Sequence, residues 1–404
     1  PAVERGLDAV LAILHEGVGA TYPAAALSCG RGRIELAASV GSAATTTWFD
    51  LASLTKALGT SVLAMRLHAA GKLELDEVVP LGDGPPVRLW QLLAHCSGLP
   101  PGPPPLWAAQ QGLLATPSEA GRRAVVEMAL AAPRGPAAQR SVYSDLGFIV
   151  LGALLEHRAQ ARLDEQLQPL TEALGAELAF RPLDRPAPAP TASCAPTRRE
   201  APDRELLLGQ VHDDNARAML GVAGHAGLFG TAAGVHRLAA ALLDAYWDAD
   251  TPAQRALGLP STTVRRFFAT VSHPGLHTTW GLGWDHPEPP PAGSSAGSRW
   301  PRTGVGHLGF TGCSLWLDLE RRGVVVLLSN RVCAATPAEA EARKARLRQL
   351  RPALHDAVQS LWQRRQVGES AAAVYTRDSF AKGVMPMKLF FSPDRKSTRL
   401  NSSH

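Results

Sequence analysis

The 404-residue chain predicts an α/β (α+β) fold: an antiparallel sheet built from both chain ends and flanked by helices, with an inserted, mainly helical domain. Three observations carry this. Strand-like runs occur near the start, at 22–28 and 33–40, and again late, at 305–310, 314–318 and 323–330. Between them helical periodicity dominates. The composition, 45% apolar and 19% charged, belongs to a globular chain long enough for two or three domains. The sheet domain is therefore assigned to 1–80 and 235–366, and the helical insert to 81–234.

Each element follows from local pattern. Val3, Leu7, Val10, Leu11 and Leu14 give a first amphipathic helix over 3–16. The turn Gly30-Arg31-Gly32 joins the first two strands as a hairpin. Leu54, Leu58, Val62 and Met65 recur at steps of three and four, so a helix opens near Ser53 and stops by Gly71. Short helical patterns follow at 89–95 and 118–131, then a polar turn from Ser141 that opens into a very apolar helix running to about Ala159, and others at 162–177 and 232–246. The run 221–230 is too glycine-rich for regular structure and implies backbone packed closely against something. Residues 281–285 read as a short strand, and Pro352 as the first residue of a final helix with Leu354, Val358 and Leu361 on its buried face. From about 368 the composition changes to a polar, aperiodic ending that resembles a non-native translated tail, and 368–404 is expected to be disordered.

Composition also excludes functions. The net charge of +5 is scattered, with no basic stripe interleaved with aromatics, so no nucleic-acid partner is expected. No apolar run reaches the roughly 18–20 residues of a membrane span. The five cysteines (Cys29, Cys96, Cys194, Cys313, Cys333) lack metal or disulfide-framework spacing, and no metal site is expected. The chain starts at Pro1, so an upstream piece is expected; no signal peptide is visible, and both cytoplasmic and periplasmic addresses stay open, as does oligomeric state.

Three patches combine reactive groups with rigid placement. Ser53 and Lys56 lie one turn apart on one helix face, with the serine at the positive end of the helix dipole. A serine needs a base, and a desolvated lysine can act as one whereas arginine cannot. Before residue 340 the chain contains only two lysines, Lys56 and Lys72, amid many arginines, which marks Lys56 as chosen for something arginine does not do. The same spacing at Ser379 and Lys382 lies in an aperiodic tail and is a decoy. The second patch is Tyr143-Ser144-Asp145, the third His307-Leu308-Gly309. Together they supply a nucleophile, proton acceptors and a glycine that lets a strand approach a substrate. A tyrosine with depressed pKa beside Lys56 would share the base role. His95, His212 and His225 read first as residues that satisfy backbone groups, with His225 also a candidate for the pocket wall.

In this order the motifs resemble the serine β-lactamase and penicillin-binding protein superfamily, in its branch of class C β-lactamases, D-Ala-D-Ala carboxypeptidases, D-aminopeptidases and esterases. Ser53-Leu54-Thr55-Lys56 matches the Ser-x-x-Lys motif, Tyr143-Ser144-Asp145 the Tyr-x-Asn element and His307-Leu308-Gly309 the Lys/His-x-Gly strand. Leu92 through Pro100 resembles the branch's Leu-Leu-x-His-x-Ser-Gly-Leu-Pro stretch, and Gly224 through Leu228 its glycine-rich turn; the likeness spans about 20–366. The resemblance implies a β-lactamase/transpeptidase-like fold and a Ser53 acyl-enzyme, with Lys56 and Tyr143 shuttling protons. It implies an oxyanion hole from the backbone N–H groups of Ser53 and Phe310, and Asp145, His307, Gly309 and His225 at the substrate. It implies no cofactor, and a small-molecule ester, peptide or β-lactam-like substrate.

Two departures qualify it. Asp145 replaces an asparagine and would raise the Lys56 pKa. Leu308 replaces a threonine that helps hold a substrate carboxylate, so weak β-lactam turnover and an ester or peptide lacking that recognition are expected. Pocket walls are expected from the loops 100–117, 182–202 and 286–303. Two other readings stand beside this one. Gly293-Ser294-Ser295-Ala296-Gly297 fits the α/β-hydrolase Gly-x-Ser-x-Gly elbow but lies between proline-rich segments. A penicillin-binding-like sensing or binding module without catalysis is the other.

Overall fold

The structure is a computed structural model that describes residues 2–82, 84–102, 108, 111–113, 116–199, 204–289, 293–366 and 375–377. Five antiparallel strands from both chain ends form the main sheet, in the order Val305–Leu308, Ser314–Asp318, Gly323–Ser329, Ala24–Arg31, Leu36–Gly41. The chain ends meet at its centre, where Ala25 pairs with Ser329 and Arg31 with Gly323. Tyr375–Arg377 adds a parallel strand beside Leu36–Gly41; of the segment expected to be disordered, these three residues are the described part. The Ser379/Lys382 decoy lies outside the described residues.

Strand periodicity sorts the side chains into two layers. Ala24, Ala26, Val324, Val326 and Leu328 belong to the larger core. Their neighbours Ala25, Leu27, Val325 and Leu327 face Leu7, Val10 and Leu14 of the first helix, Ala2–Glu16, and Leu347, Leu354, Val358 and Trp362 of the last. Every residue of Gly323–Ser329 is buried because helices cover both faces.

Several boundaries differ from expectation. The last helix runs from Pro337 to Gln366, with Pro352 inside it rather than at its start. Residues 281–285 form no strand; Gly283 has φ 85 and makes room for Ser61, where a Cβ would lie 2.8 Å from that residue's own Cβ. The glycine-rich run does contain regular structure, Leu228–Gly230, between Phe49–Asp50 and Leu178–Phe180. Its close packing is as expected: a Cβ on Gly224 would sit 2.0 Å from the Phe148 carbonyl oxygen of the helix Asp145–Ala159. Gly293–Gly297 is a loop with a turn at Ser295 and Ala296, followed by Ser298 and Arg299, whose N–H groups donate to Asp356; it forms no strand-to-helix elbow.

We propose that the division near residues 80 and 235 is one of topology rather than packing. One apolar cluster runs from Leu51 and Leu58 through Leu92, Phe148 and Ile149 to Leu238 and Val326. Among the described residues no helix is long and apolar enough to cross a membrane.

Candidate active site

The turn that presents Ser53 begins at Asp50. Its Oδ1 accepts the Ala52 N–H at 2.8 Å and its Oδ2 the His212 N–H at 2.6 Å. Ala52 is thereby held at φ 47, a left-handed turn that costs an L-residue about 1–2 kcal/mol and is retained where surrounding bonds over-determine it. Burial pushes the Asp50 carboxyl up to about 7, against the two N–H bonds that pull it down. The chain then enters a helix whose Lys56–Ser61 segment is π-helical and wholly buried, before α-helical Val62–Ala69. Ser53 sits at the mouth of this helix, half-buried, and Lys56 one turn in, completely buried.

Lys56 Nζ donates to Ser53 Oγ at 2.9 Å and to the His225 carbonyl at 3.0 Å, and pairs with Asp145 Oδ1 at 2.7 Å. The Tyr143 ring lies 5.0 Å from it, and the Tyr143 phenol neighbours both Lys56 and Ser53. Burial alone would lower the lysine pKa, but the negative charge of Asp145, with Tyr143 beside it, outweighs it and the net shift is upward. That agrees with the effect expected of Asp145. The depressed tyrosine does not occur: burial raises the Tyr143 pKa more than Lys56 lowers it.

The rest of the site is an aromatic and histidine wall. His95, with φ 56, accepts the Ser144 N–H on Nδ1 and packs 4.6 Å from Tyr143 and 4.5 Å from Trp280, so it buttresses the tyrosine by satisfying a backbone group. His307 lies 6.0 Å from the Tyr143 ring; burial and the nearby Lys56 charge push its pKa down to about 3, so it is neutral near pH 7. Gly309 lets the strand end reach the nucleophile's turn, where a Cβ would lie 2.6 Å from the Leu51 carbonyl. The backbone N–H groups of Ser53 and Phe310 donate to no acceptor among the described residues. His225 Nε2 lies 2.8 Å from Asp213 Oδ1, which also caps the helix Asp214–Ala218.

These groups open onto one cavity of about 540 Å³, lined by Ser53, Tyr143, Asp145, His225, His307, Gly309 and Phe310. Every side chain assigned to catalysis or substrate contact except Lys56, which is sealed beneath Ser53, therefore reaches one space. The described parts of loops 100–117, 182–202 and 286–303 contribute no lining residue. The outer wall comes instead from Arg331 and from Lys344, Leu347, Arg348 and Arg351 on the last helix. The spacing i, i+3, i+4, i+7 puts these four on one face, a signal legible in the sequence once the helix is extended back to Pro337.

Comparison with known proteins gives the family and the fold. The profile of the Beta-lactamase family matches residues 15–350. A putative D-alanyl-D-alanine carboxypeptidase of Escherichia coli O157:H7 is 28% identical over 321 residues, covering 72% of this chain and 70% of that protein. An N-acetylmuramyl-L-alanine amidase of Bacillus subtilis (strain 168) is 27% identical over 319 residues, 71% of this chain and 68% of the relative. Among solved structures, EstCE1, a hydrolase with promiscuous acyltransferase activity, superposes with a TM-score of 0.63 at 20% identity, covering 88% of this chain and 99% of the other. With the profile spanning most of its length, the chain belongs to the Beta-lactamase family and is a serine hydrolase.

Proposed function

We propose that the protein hydrolyses an ester or a peptide-type amide through a Ser53 acyl-enzyme. The observation that carries this is the 2.9 Å contact between Ser53 Oγ and Lys56 Nζ at the floor of an open cavity. The substrate carbonyl is attacked by Ser53 Oγ; its oxygen, as charge develops, is received by the unengaged N–H groups of Ser53 and Phe310, each worth roughly 10²–10³ in rate. Tyr143, a neutral phenol beside both Ser53 and Lys56, passes protons between nucleophile and leaving group. His307, held neutral, and Gly309 line the path along the strand, while Asp145 and His225 hold Lys56 from two sides. With Leu308 on that strand, β-lactam turnover is expected to be weak.

A cell-wall-type substrate is the second reading. It is favoured by the relatives named as a putative D-alanyl-D-alanine carboxypeptidase and an N-acetylmuramyl-L-alanine amidase, and by the cationic helix face on the cavity wall. Intact-mass analysis after incubation with a fluorophosphonate or a penicillin separates the readings. Fluorophosphonate labelling that is lost in Ser53→Ala, without a penicillin adduct, supports the esterase or peptidase. A stable penicillin adduct moves the assignment to cell-wall peptides. Absence of any adduct returns the protein to a binding or sensing role.

A further inference from the structure

We propose that Asp145 is the terminal proton acceptor of a Ser53–Lys56–Asp145 relay, so that this site generates its own lysine base during turnover. The inference rests on Ser53 being the nucleophile.

Three acceptors surround Lys56 Nζ within 3.0 Å: Ser53 Oγ, His225 O and Asp145 Oδ1. With its pKa raised, the resting lysine is an ammonium and has no lone pair to offer Ser53. The Tyr143 phenol, raised by burial, is no phenolate that could substitute for it. A base must therefore be made in place, and the shortest of the three contacts identifies where the proton goes. Lys56 is wholly buried, whereas the Asp145 side chain keeps 29% of its exposure and lines the cavity. A substrate filling that cavity removes the solvent stabilising the Lys56–Asp145 charges, and a desolvated ion pair gains by becoming neutral.

The steps balance. A proton moves from Lys56 Nζ to Asp145 Oδ1, leaving an amine and a carboxylic acid. Rotation about Cε–Nζ turns the lone pair to Ser53 Oγ, and the serine proton passes to Nζ as Oγ bonds to the carbonyl carbon. When the carbon–leaving-group bond breaks, Nζ passes that proton to the Tyr143 oxygen as the phenol gives its own proton to the departing oxygen or nitrogen. Asp145 then gives its proton back to Nζ, and water repeats the sequence on the acyl-enzyme. No group outside the protein, substrate and water is required.

Asp145 as a mere brake is the opposite arrangement: it would hold Lys56 charged, and activity would wait for the lysine to lose its proton to solvent. The other titratable groups facing Lys56 are Tyr143, His95, His307 and Asp213. Further along the same site burial raises the Asp50 and Asp285 carboxyls to about 7 and about 6, in wild type and variant alike.

The experiment is the pH profile of kcat/KM for p-nitrophenyl acetate in wild type, Asp145→Asn and Ser53→Ala. With a relay, the wild-type profile is level between about pH 7.5 and 9.5. Asp145→Asn is then at least about tenfold slower at pH 7 and climbs with pH, because its lysine depends on solvent for deprotonation. A brake gives a wild-type profile that climbs across that range, and an Asp145→Asn enzyme faster at pH 7; either result overturns the relay, and the wild-type curve alone decides it if the variant does not fold. Turnover surviving in Ser53→Ala would overturn the nucleophile assignment and the relay with it. An inactive Ser53→Ala beside a faster Asp145→Asn overturns the relay alone.

Discussion

Two buried cations belong to one site and are treated oppositely. Lys56, beneath its floor, is wholly buried with a carboxylate 2.7 Å away, and its pKa is raised in spite of burial. Arg351, on its outer wall, is 7% exposed and has no ion-pair partner among the described residues. It donates to the Cys313 carbonyl at 3.3 Å, and burial pushes its pKa down to about 10. A lysine that must give up and regain a proton needs a nearby acceptor. An arginine, whose pKa stays far above neutrality, simply remains charged. The difference teaches that burial alone does not set a cation's ionisation: the carboxylate beside Lys56 reverses what burial does to Arg351.

The largest test of that contrast exchanges the two chemistries. Lys56→Arg keeps charge and burial but cannot release a proton, so kcat/KM for p-nitrophenyl acetate should fall by roughly 10³ or more, in line with loss of a general base. A variant within tenfold of wild type would mean that only the charge matters.

Each cation also holds histidines neutral, which gives the second test. His95 and His307 face Lys56, and His355 faces Arg351; burial, then these charges, depress all three, His307 and His355 to about 3. A base whose folded pKa lies below its unfolded value contributes fully above the unfolded value, and that contribution is lost as pH falls toward the folded pKa. Each such histidine should cost about 1.4 kcal/mol per pH unit below about 6.5. Asp50 and Asp285, whose folded pKa values are raised to about 7 and about 6, regain stability over part of the same window. Urea unfolding from pH 7 to pH 5 should therefore show a net loss of a few kcal/mol; a flat curve would show the histidines already charged.

The smallest effect belongs to Arg351→Met. Replacing a buried, uncompensated charge by an apolar chain of similar length should leave stability within about 1 kcal/mol or raise it. It should also lessen the acid sensitivity by relieving His355. A clear fall in Tm at neutral pH would show that the bond to Cys313 outweighs the burial of the charge.

The distribution of correct and missed readings follows the range of the interactions. Ser53 and Lys56 were legible because one helical turn fixes their spacing, whatever surrounds them. Tyr143 and His307 were found by the resemblance of their motifs, since nothing local says that they meet. The last helix was misread at Pro352 because proline usually opens a helix. Here burial of Leu347, Leu354, Val358 and Trp362 against the sheet carries it through a residue that costs about 3 kcal/mol inside a helix. That error concealed the cationic face Lys344, Arg348 and Arg351.

By itself the sequence determined the strand-rich chain ends and the pairing of Ser53 with Lys56 one helical turn apart, and the motif resemblance added the carboxylate expected to raise the lysine pKa. Only the tertiary structure decided the ionisation of Tyr143, the role of His95 as a buttress, and which helix closes the cavity. These depend on burial and on groups far apart in the chain, such as the 169 positions between Lys56 and the carbonyl of His225. Desolvation is a property of the packed whole, and no local pattern encodes it.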